Sequence, residues 1–437
     1  MNRRAVGPIV ASLIAPPVLL VAAWRSRSLR YKHWMLTLFV TIYGATIAIA
    51  YDPLGAGPDG VRHLLGVYTH YVGLGFGQFL NELRQILMFQ ASEAPSKDVY
   101  KHVISYLAGG VLGMPMLFFP IVAFVYGYFF TGSMLHVFRQ FGKTKLTYVF
   151  LGFAVLFFLV KNIEGVNTVR TWTGMWVLVY ACLKYYETKK LRYALLMFVP
   201  PFIHYGYFIM AIPAWLVLVV GNRPRLFAIL FVASSFTTFF NPGTVTEIIA
   251  VTEVGEYSVR GYFREEVATD EQILAAGQER GQRIWRTLGQ LGIQKWALNA
   301  FVFTLLLTGV YFLVMNQSQK TLFSIGLLTI TLSNATWYLS AVSNRSWTVG
   351  MVFLLAAFLM TRQDPETAFR MPNSSLVYNF GLHLSLLLFI PYFAYNLSVL
   401  MDFPSVFLLS LPWMVWVYPE MNISIKEVFR YVLGIAR

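Results

Sequence analysis

Apolar runs close to the length of a membrane crossing recur along the chain, separated by short polar turns. They fall at 6–24, 34–50, 110–132, 146–160, 167–184, 226–240, 296–315, 321–340, 347–361, 376–399 and 403–418. The pattern predicts an all-α polytopic membrane protein with about 11–13 transmembrane helices. One piece breaks the rhythm. Residues 194–220 are too few for two crossings at 1.5 Å per residue and contain Pro200, Pro201 and Pro213.

The polar turns orient the chain. Arg25, Arg27, Arg30 and Lys32 share a turn with no acid, as do Arg139, Lys143 and Lys145, and these turns read as cytoplasmic. The loops 51–109 and 241–295 mix acids with bases and read as external, with amphipathic helices along each. Arg223 and Arg225 then read as cytoplasmic, so 194–220 must enter and leave on that same side. It is expected to be a re-entrant or broken helix pair with His204 near its tip. A tail over 419–437 reads as a short amphipathic interfacial helix. The first apolar run follows Asn2-Arg3-Arg4 without a small-residue cleavage site, so it reads as a retained span.

Composition agrees with this picture and narrows it. Hydrophobic residues make up 57% of the chain and charged residues 12%, about half the charged share of a soluble domain. The even spread of apolar runs predicts one membrane unit over 1–437, and no internal repeat is visible. A net charge of +14 fits basic cytoplasmic turns and an anionic ligand better than nucleic acid, which is not expected as a partner. Cys182 is the only cysteine, which rules out an internal disulfide. No Gly-x-x-x-x-Gly-Lys loop, His-Glu-x-x-His or Gly-x-Ser-x-Gly motif occurs, and the outer loops hold no Asp-x-Asp pair. No cofactor and no metal are expected.

Candidate chemistry gathers at the outer face. Arg170 and Arg345 each head an apolar run that starts outside, and an arginine at such a place marks a functional site by default. The alternative is an arginine snorkelling to headgroups. Asn167, Arg170 and Gly174 stand at i, i+3 and i+7, which would put them on one helix face. His204 follows two prolines at the break and suits proton transfer, or else a buried loop cap. Asp59 and Arg62 lie in the first outer loop, where Pro58-Asp59-Gly60 also reads as a turn. Arg260 and Arg264 lie in the second. Trp172, Trp337, Tyr338 and Trp347 sit near outer ends, where aromatic rings stack on sugars or line the interface.

Three patches of this set resemble the Wzy/EpsG-type family of bacterial polysaccharide polymerases. They are Gly57-Pro58-Asp59-Gly60-Val61-Arg62 with the later Lys97-Asp98-Val99-Tyr100; Asn167-Thr168-Val169-Arg170 with Phe202-Ile203-His204-Tyr205; and Ser343-Asn344-Arg345. The resemblance implies a glycosyltransferase of the bacterial inner membrane that joins undecaprenyl-pyrophosphate-linked repeat units at the periplasmic face, inverting and without metal. It also implies a possible chain-length regulator as a partner protein. Arg170 and Arg345 would stabilise the departing pyrophosphate, and His204 or Asp59 would take the acceptor proton. Arg62, Asn167, Asn344, Arg260 and Arg264 would seat phosphate or glycan. Competing readings are another lipid-linked sugar transferase, such as an O-antigen ligase, and a lipid-linked glycan flippase or transporter.

Overall fold

A computed structural model describes residues 3–47, 59–90, 96–143, 146–236, 293–336, 340–401, 403–409, 411–418 and 423–434. Among these residues the secondary structure is helical throughout, without a β-strand; one isolated bridge joins Pro404 to Ser424. The early helices are α1 (Arg3–Ser12), α2 (Val18–Arg25), α3 (Leu29–Ala45), α4 (Asp59–Gly66), α5 (Phe76–Leu87) and α6 (Val99–Ser105). Next come α7 (Phe118–Val137), α8 (Tyr148–Val160) and α9 (Thr171–Thr188). A broken stretch gives α10 (Leu191–Leu196), α11 (Pro200–Ile203), α12 (Tyr207–Met210) and α13 (Ile212–Val220), followed by α14 (Pro224–Ser234). The last part holds α15 (Ile293–Leu307), α16 (Gln317–Ala335), α17 (Ser340–Gln363), α18 (Pro365–Ala368), α19 (Leu376–Leu388), α20 (Ile390–Leu400), α21 (Ser405–Leu409), α22 (Met414–Val417) and α23 (Ile425–Val432).

Among the described residues, three helical stretches are long and apolar enough to cross a membrane: Pro115–Val137, Tyr148–Thr168 and Val342–Gln363. The pair α19–α20, bent by 44° at Pro391, makes a fourth if counted as one span. This is an all-α membrane protein. Several runs that read as continuous spans are interrupted, and the breaks have local causes. Pro16 and Pro17 divide the first run into α1 and α2. Pro404 and Pro412 leave only the short α21 and α22 in 403–418. Gly309, in the left-handed region at φ 73°, ends α15 before a π-turn over Val310–Val314.

Two antiparallel seams fix the bundle, and both depend on residues with little or no side chain. Along α3 and α7, Gly44 lies against Ala123, Gly127 against Val40, and Thr37 bonds Thr131 at 3.1 Å. A Cβ at Gly44 would meet the Phe119 carbonyl oxygen at 2.6 Å and Ala123 Cβ at 2.4 Å. Along α16 and α17, Gly326 and Gly350 face each other, and Ser333 and Ser343 exchange hydroxyl-to-carbonyl bonds at 2.8 Å. Small residues let backbones approach closely, so dispersion and interhelical hydrogen bonds replace the hydrophobic drive that lipid cannot supply.

The broken stretch behaves as its prolines predict. Leu191 follows the C-terminal end of α9, and α10 packs back along α9. The chain turns at His204 and returns, so that Asn222 meets Thr321 and Ser324 near the start of α16. That start lies beside the C-terminal end of α9, where Ser318 Oγ donates to the Tyr186 carbonyl at 3.0 Å. Both feet of the hairpin therefore share one end of the bundle, with His204 at its tip. Tyr207 pins the tip to α9: its hydroxyl donates to the Thr171 carbonyl at 2.7 Å, and Gly174 leaves room for its ring.

The amphipathic helices expected in the first outer loop are present as α4, α5 and α6. Glu82 on α5 is buried and accepts from His70 Nε2 at 3.0 Å. His102 on α6 stacks on Phe79, with centroids 4.8 Å apart, and its Nε2–H donates to the Phe79 carbonyl. With Nε2 protonated, its Nδ1 accepts from the Tyr71 hydroxyl at 2.9 Å. This backing holds α6 in place. The second outer loop lies outside the described residues. The tail helix α23 is present with a capping box at Ser424 and Glu427, and it buries none of its residues. Replacing Gly44 with Ala forces α3 from α7 and is expected to destabilise the protein by roughly 1–3 kcal/mol, read as a lower thermal midpoint in detergent. Gly77→Ala, whose Cβ would meet nothing within 4 Å, is expected to leave the midpoint in place.

Candidate functional site

Four elements converge on the carboxylate of Asp98. Ser96-Lys97-Asp98 precedes α6, and Asp98 occupies the N-cap position, where a carboxylate ordinarily accepts from the first turn of its own helix. Here it makes no such bond. Ser96 instead turns the loop, its hydroxyl donating to the Asp98 carbonyl at 3.0 Å, and the carboxylate reaches across to other helices. One oxygen, Oδ2, accepts from Arg170 Nη1. The other, Oδ1, accepts from the Tyr205 backbone N–H at 2.7 Å and from His204 Nδ1 at 3.4 Å. His204 Nε2 in turn meets Arg345 Nη1 at 3.0 Å.

The donor logic of this chain fixes the imidazole. A guanidinium only donates, so His204 Nε2 must present its lone pair to Arg345, and the ring proton sits on Nδ1 facing Asp98. Burial alone would raise the Asp98 pKa, yet Arg170, His204 and the Tyr205 N–H together outweigh it and hold the carboxyl well below the usual carboxylate range. Asp98 is an anion at any physiological pH. Its side chain is 2% exposed, whereas that of Arg170 is 29% exposed, so the pair is buried on one side and open on the other. The Arg170 Nε–H is buried with no acceptor among the described residues. An unmatched buried donor is unfavourable by about 1–3 kcal/mol, and an anionic oxygen would satisfy it.

Arg170 is aimed by its backbone. The 3₁₀ turn Ile163–Thr168 ends at Val169, which has φ 56° and ψ −56°, and the Arg170 N–H bonds the Thr168 carbonyl at 2.5 Å. This is a γ-turn with positive φ, a strained conformation that a β-branched residue rarely adopts. The surroundings hold it. Thr173 Oγ1 donates to the Val169 carbonyl at 2.6 Å. The Tyr126 hydroxyl donates to the Asn162 carbonyl at 2.5 Å and accepts from Trp176 Nε1 at 3.0 Å, and Gly165 leaves room for that hydroxyl. Strain kept up by several fixed contacts is characteristic of functional sites.

Three of the residues singled out from the sequence, Arg170, His204 and Arg345, thus meet at one place. Others do not join them. Asn167 lies on the 3₁₀ turn, and the γ-turn at Val169 intervenes before α9 begins, so Asn167, Arg170 and Gly174 do not share a helix face. Asn344 is exposed one residue before Arg345, about 100° round the helix from it. Asp59 opens α4, and its side chain lies outside the description, as do Arg260 and Arg264. Arg62 is exposed on α4. Trp347 is core rather than a sugar platform, packing on Tyr392. Trp172 carries the Lys161 ammonium over its ring at 4.3 Å; Trp337 and Tyr338 lie outside the described residues.

Two residues went unassigned in the sequence. Asp98 carries the pattern of a helix start, which conceals a carboxylate used elsewhere. His63 on α4 is buried facing the site, and burial first, then Lys101, Arg170 and Arg62, pushes its pKa down. It is neutral there. No family model matches this chain, and no similar curated protein or solved structure was found. The geometry has to carry the argument.

Asp98→Asn removes the anion and leaves Arg170 half-paired, which is expected to cost about 3 kcal/mol, the lower end for breaking a buried pair. The depressed Asp98 pKa sets the sign of the pH dependence. Its stabilisation is complete above the ordinary carboxylate pKa and is lost as pH falls toward the folded value. Thermal midpoints of wild type and Asp98→Asn should therefore differ by a constant amount at neutral pH and converge below about pH 4. A gap that persists into acid would remove the ion pair as the cause.

Proposed function

We propose that this protein is a polysaccharide polymerase of the bacterial inner membrane, a glycosyltransferase that joins undecaprenyl-pyrophosphate-linked repeat units at the periplasmic face. The observation that carries the reading is the linked series Arg170, Asp98, His204 and Arg345, which places a held imidazole between two guanidinium groups. In this reading the chain crosses the membrane about 11–13 times. The hairpin tipped by His204 enters from the cytoplasm, and the basic turns lie on that side.

The chemistry follows from the hydrogen bonds. Asp98 fixes the tautomer through Nδ1–H, as an orienting carboxylate does for a catalytic histidine, and so directs the Nε2 lone pair toward a substrate proton. In the structure Arg345 occupies that lone pair. When a pyrophosphate arrives, Arg345 moves to its oxygens, since charge-assisted contacts to phosphate are stronger than a bond to neutral imidazole. The same movement frees Nε2. The acceptor hydroxyl oxygen then forms a bond to the anomeric carbon as its proton passes to Nε2. The bond from that carbon to the pyrophosphate oxygen breaks, and the electron pair stays on the leaving group. Arg345 and the open flank of Arg170, including its unmatched Nε–H, stabilise the charge that develops there. Attack from the face opposite the leaving group inverts the anomeric centre. In this reading Arg62, next to His63 on α4, helps to seat a second phosphate or an acidic sugar.

Surface glycan from cells carrying Arg170→Ala or His204→Gln, resolved by gel banding with protein levels matched, is expected to lose its ladder and keep a single capped repeat unit. Arg345→Lys, which retains charge but not the planar fork, should shorten the ladder by reducing the rate at least tenfold. Loss of all glycan, single units included, would favour a ligase or flippase. An unchanged ladder would overturn the proposal.

A further inference from the structure

At the end of the bundle away from Asp98, helices α8, α17 and α19 enclose a cavity of about 560 Å³. Its polar wall is built from Tyr148 at the head of α8, Arg362 in the last turn of α17 and His383 on α19. Arg362 Nη1 donates to Asn373 Oδ1 at 2.6 Å and the guanidinium also bonds the Tyr378 hydroxyl, two contacts from a group with five N–H donors. The His383 ring bonds the Asn379 carbonyl through Nδ1 at 2.5 Å, so Nδ1 carries the proton and Nε2 accepts from the Tyr148 hydroxyl at 2.5 Å. Asn379 Nδ2 completes the loop by donating to the Asn373 carbonyl at 2.7 Å.

The charge here is sorted by sign. Among the described residues, no aspartate or glutamate lines the cavity. Asp364, two residues beyond Arg362, turns its carboxylate away to accept from Asn316 and Gln319. Around the mouth the surface is apolar and open: Phe369 is 92% exposed and Leu376 84%, with Phe380 also exposed. The depth is defined as well. Arg345 and Arg362 are seventeen residues apart on one helix, or about 26 Å along its axis. That is close to the thickness of the hydrocarbon layer, so the cavity sits at headgroup level on the face opposite the Asp98 site.

We propose that this cavity binds the phosphate of an anionic phospholipid headgroup. Arg362 takes the phosphate oxygens through its remaining N–H groups, the Asn373–Asn379 loop holds the guanidinium in place, and the acyl chains run over the exposed apolar rim. A basic recess between helices at the membrane face is suited to such a headgroup. A soluble phosphate would match the cation but leave the rim without a partner. The inference is independent of the reaction proposed above.

The test uses full-length protein in micelles doped with phosphatidylglycerol or phosphatidylcholine, with retained lipid counted by native mass spectrometry. Wild type should retain phosphatidylglycerol about tenfold better, the order expected for a charge-assisted contact. Arg362→Gln should lose that preference, whereas Arg370→Gln, an exposed arginine outside the cavity, should keep it. Tyr148 is largely exposed, so Tyr148→Phe is not expected to disturb folding; it should weaken retention by a smaller factor and decides the matter should Arg362→Gln fail to fold. Equal retention of both lipids, a preference that survives in a folded Arg362→Gln protein, retention unchanged from wild type in Tyr148→Phe, loss of the preference in Arg370→Gln, or displacement of the lipid by inorganic phosphate would each overturn the proposal.

Discussion

A single buried carboxylate sets the terms for one end of this molecule. Stripping a carboxylate of water is unfavourable by several kcal/mol unless its lone pairs are matched, and Asp98 matches them with groups from two other places in the chain. Arg170 arrives at the head of α9, the Tyr205 N–H and His204 arrive on the hairpin tip, and Arg345 adds to the series from α17. Neither Arg170 nor the hairpin tip can shift alone without leaving part of that buried charge unmatched. Helices α5 and α6 answer to the same demand, since the Glu82, His102 and Phe79 packing fixes the helix that Asp98 precedes.

Rigidity and strain are distributed accordingly. The seams between α3 and α7 and between α16 and α17 bring backbones into near contact and leave little slack. Against that frame the chain holds Val169 in a γ-turn and keeps Arg170 Nε without an acceptor. Both are unfavourable locally, and an anionic oxygen would satisfy the second. A stiff frame with a few poorly satisfied groups at one end is the arrangement expected where binding energy is to be used.

Much of the site was legible in the sequence because its residues break the rule for apolar runs. Arg170 and Arg345 are charges at the heads of such runs, and His204 follows a proline pair, so each stands out against its neighbours. Asp98 does not, because Ser-x-Asp before an apolar stretch is what any capped helix shows, and only the tertiary structure reveals that the carboxylate points elsewhere. The hairpin was legible for a different reason: length and loop charge together left no other path for 194–220. Spacing misled at Asn167, where periodicity assumes a helix that Val169 interrupts. Hydropathy misled at 6–24 and 403–418, where apolar character continues through prolines that end the helix.

The two arginines of α17 make that helix a gauge. Arg345 and Arg362 are charged side chains whose heads must stay near opposite polar interfaces, and the backbone between them has a fixed rise. In a bilayer thicker than this separation the helix stands upright while the lipid thins around it; in a thinner one it tilts. Tilting would bear on the hairpin tip directly, because α12 packs on α17 while Tyr207 pins the same tip to α9. If α17 spans a bilayer between these two arginines, the contact between Arg345 and His204 would answer to its thickness, and lipid chain length would become a variable of the site.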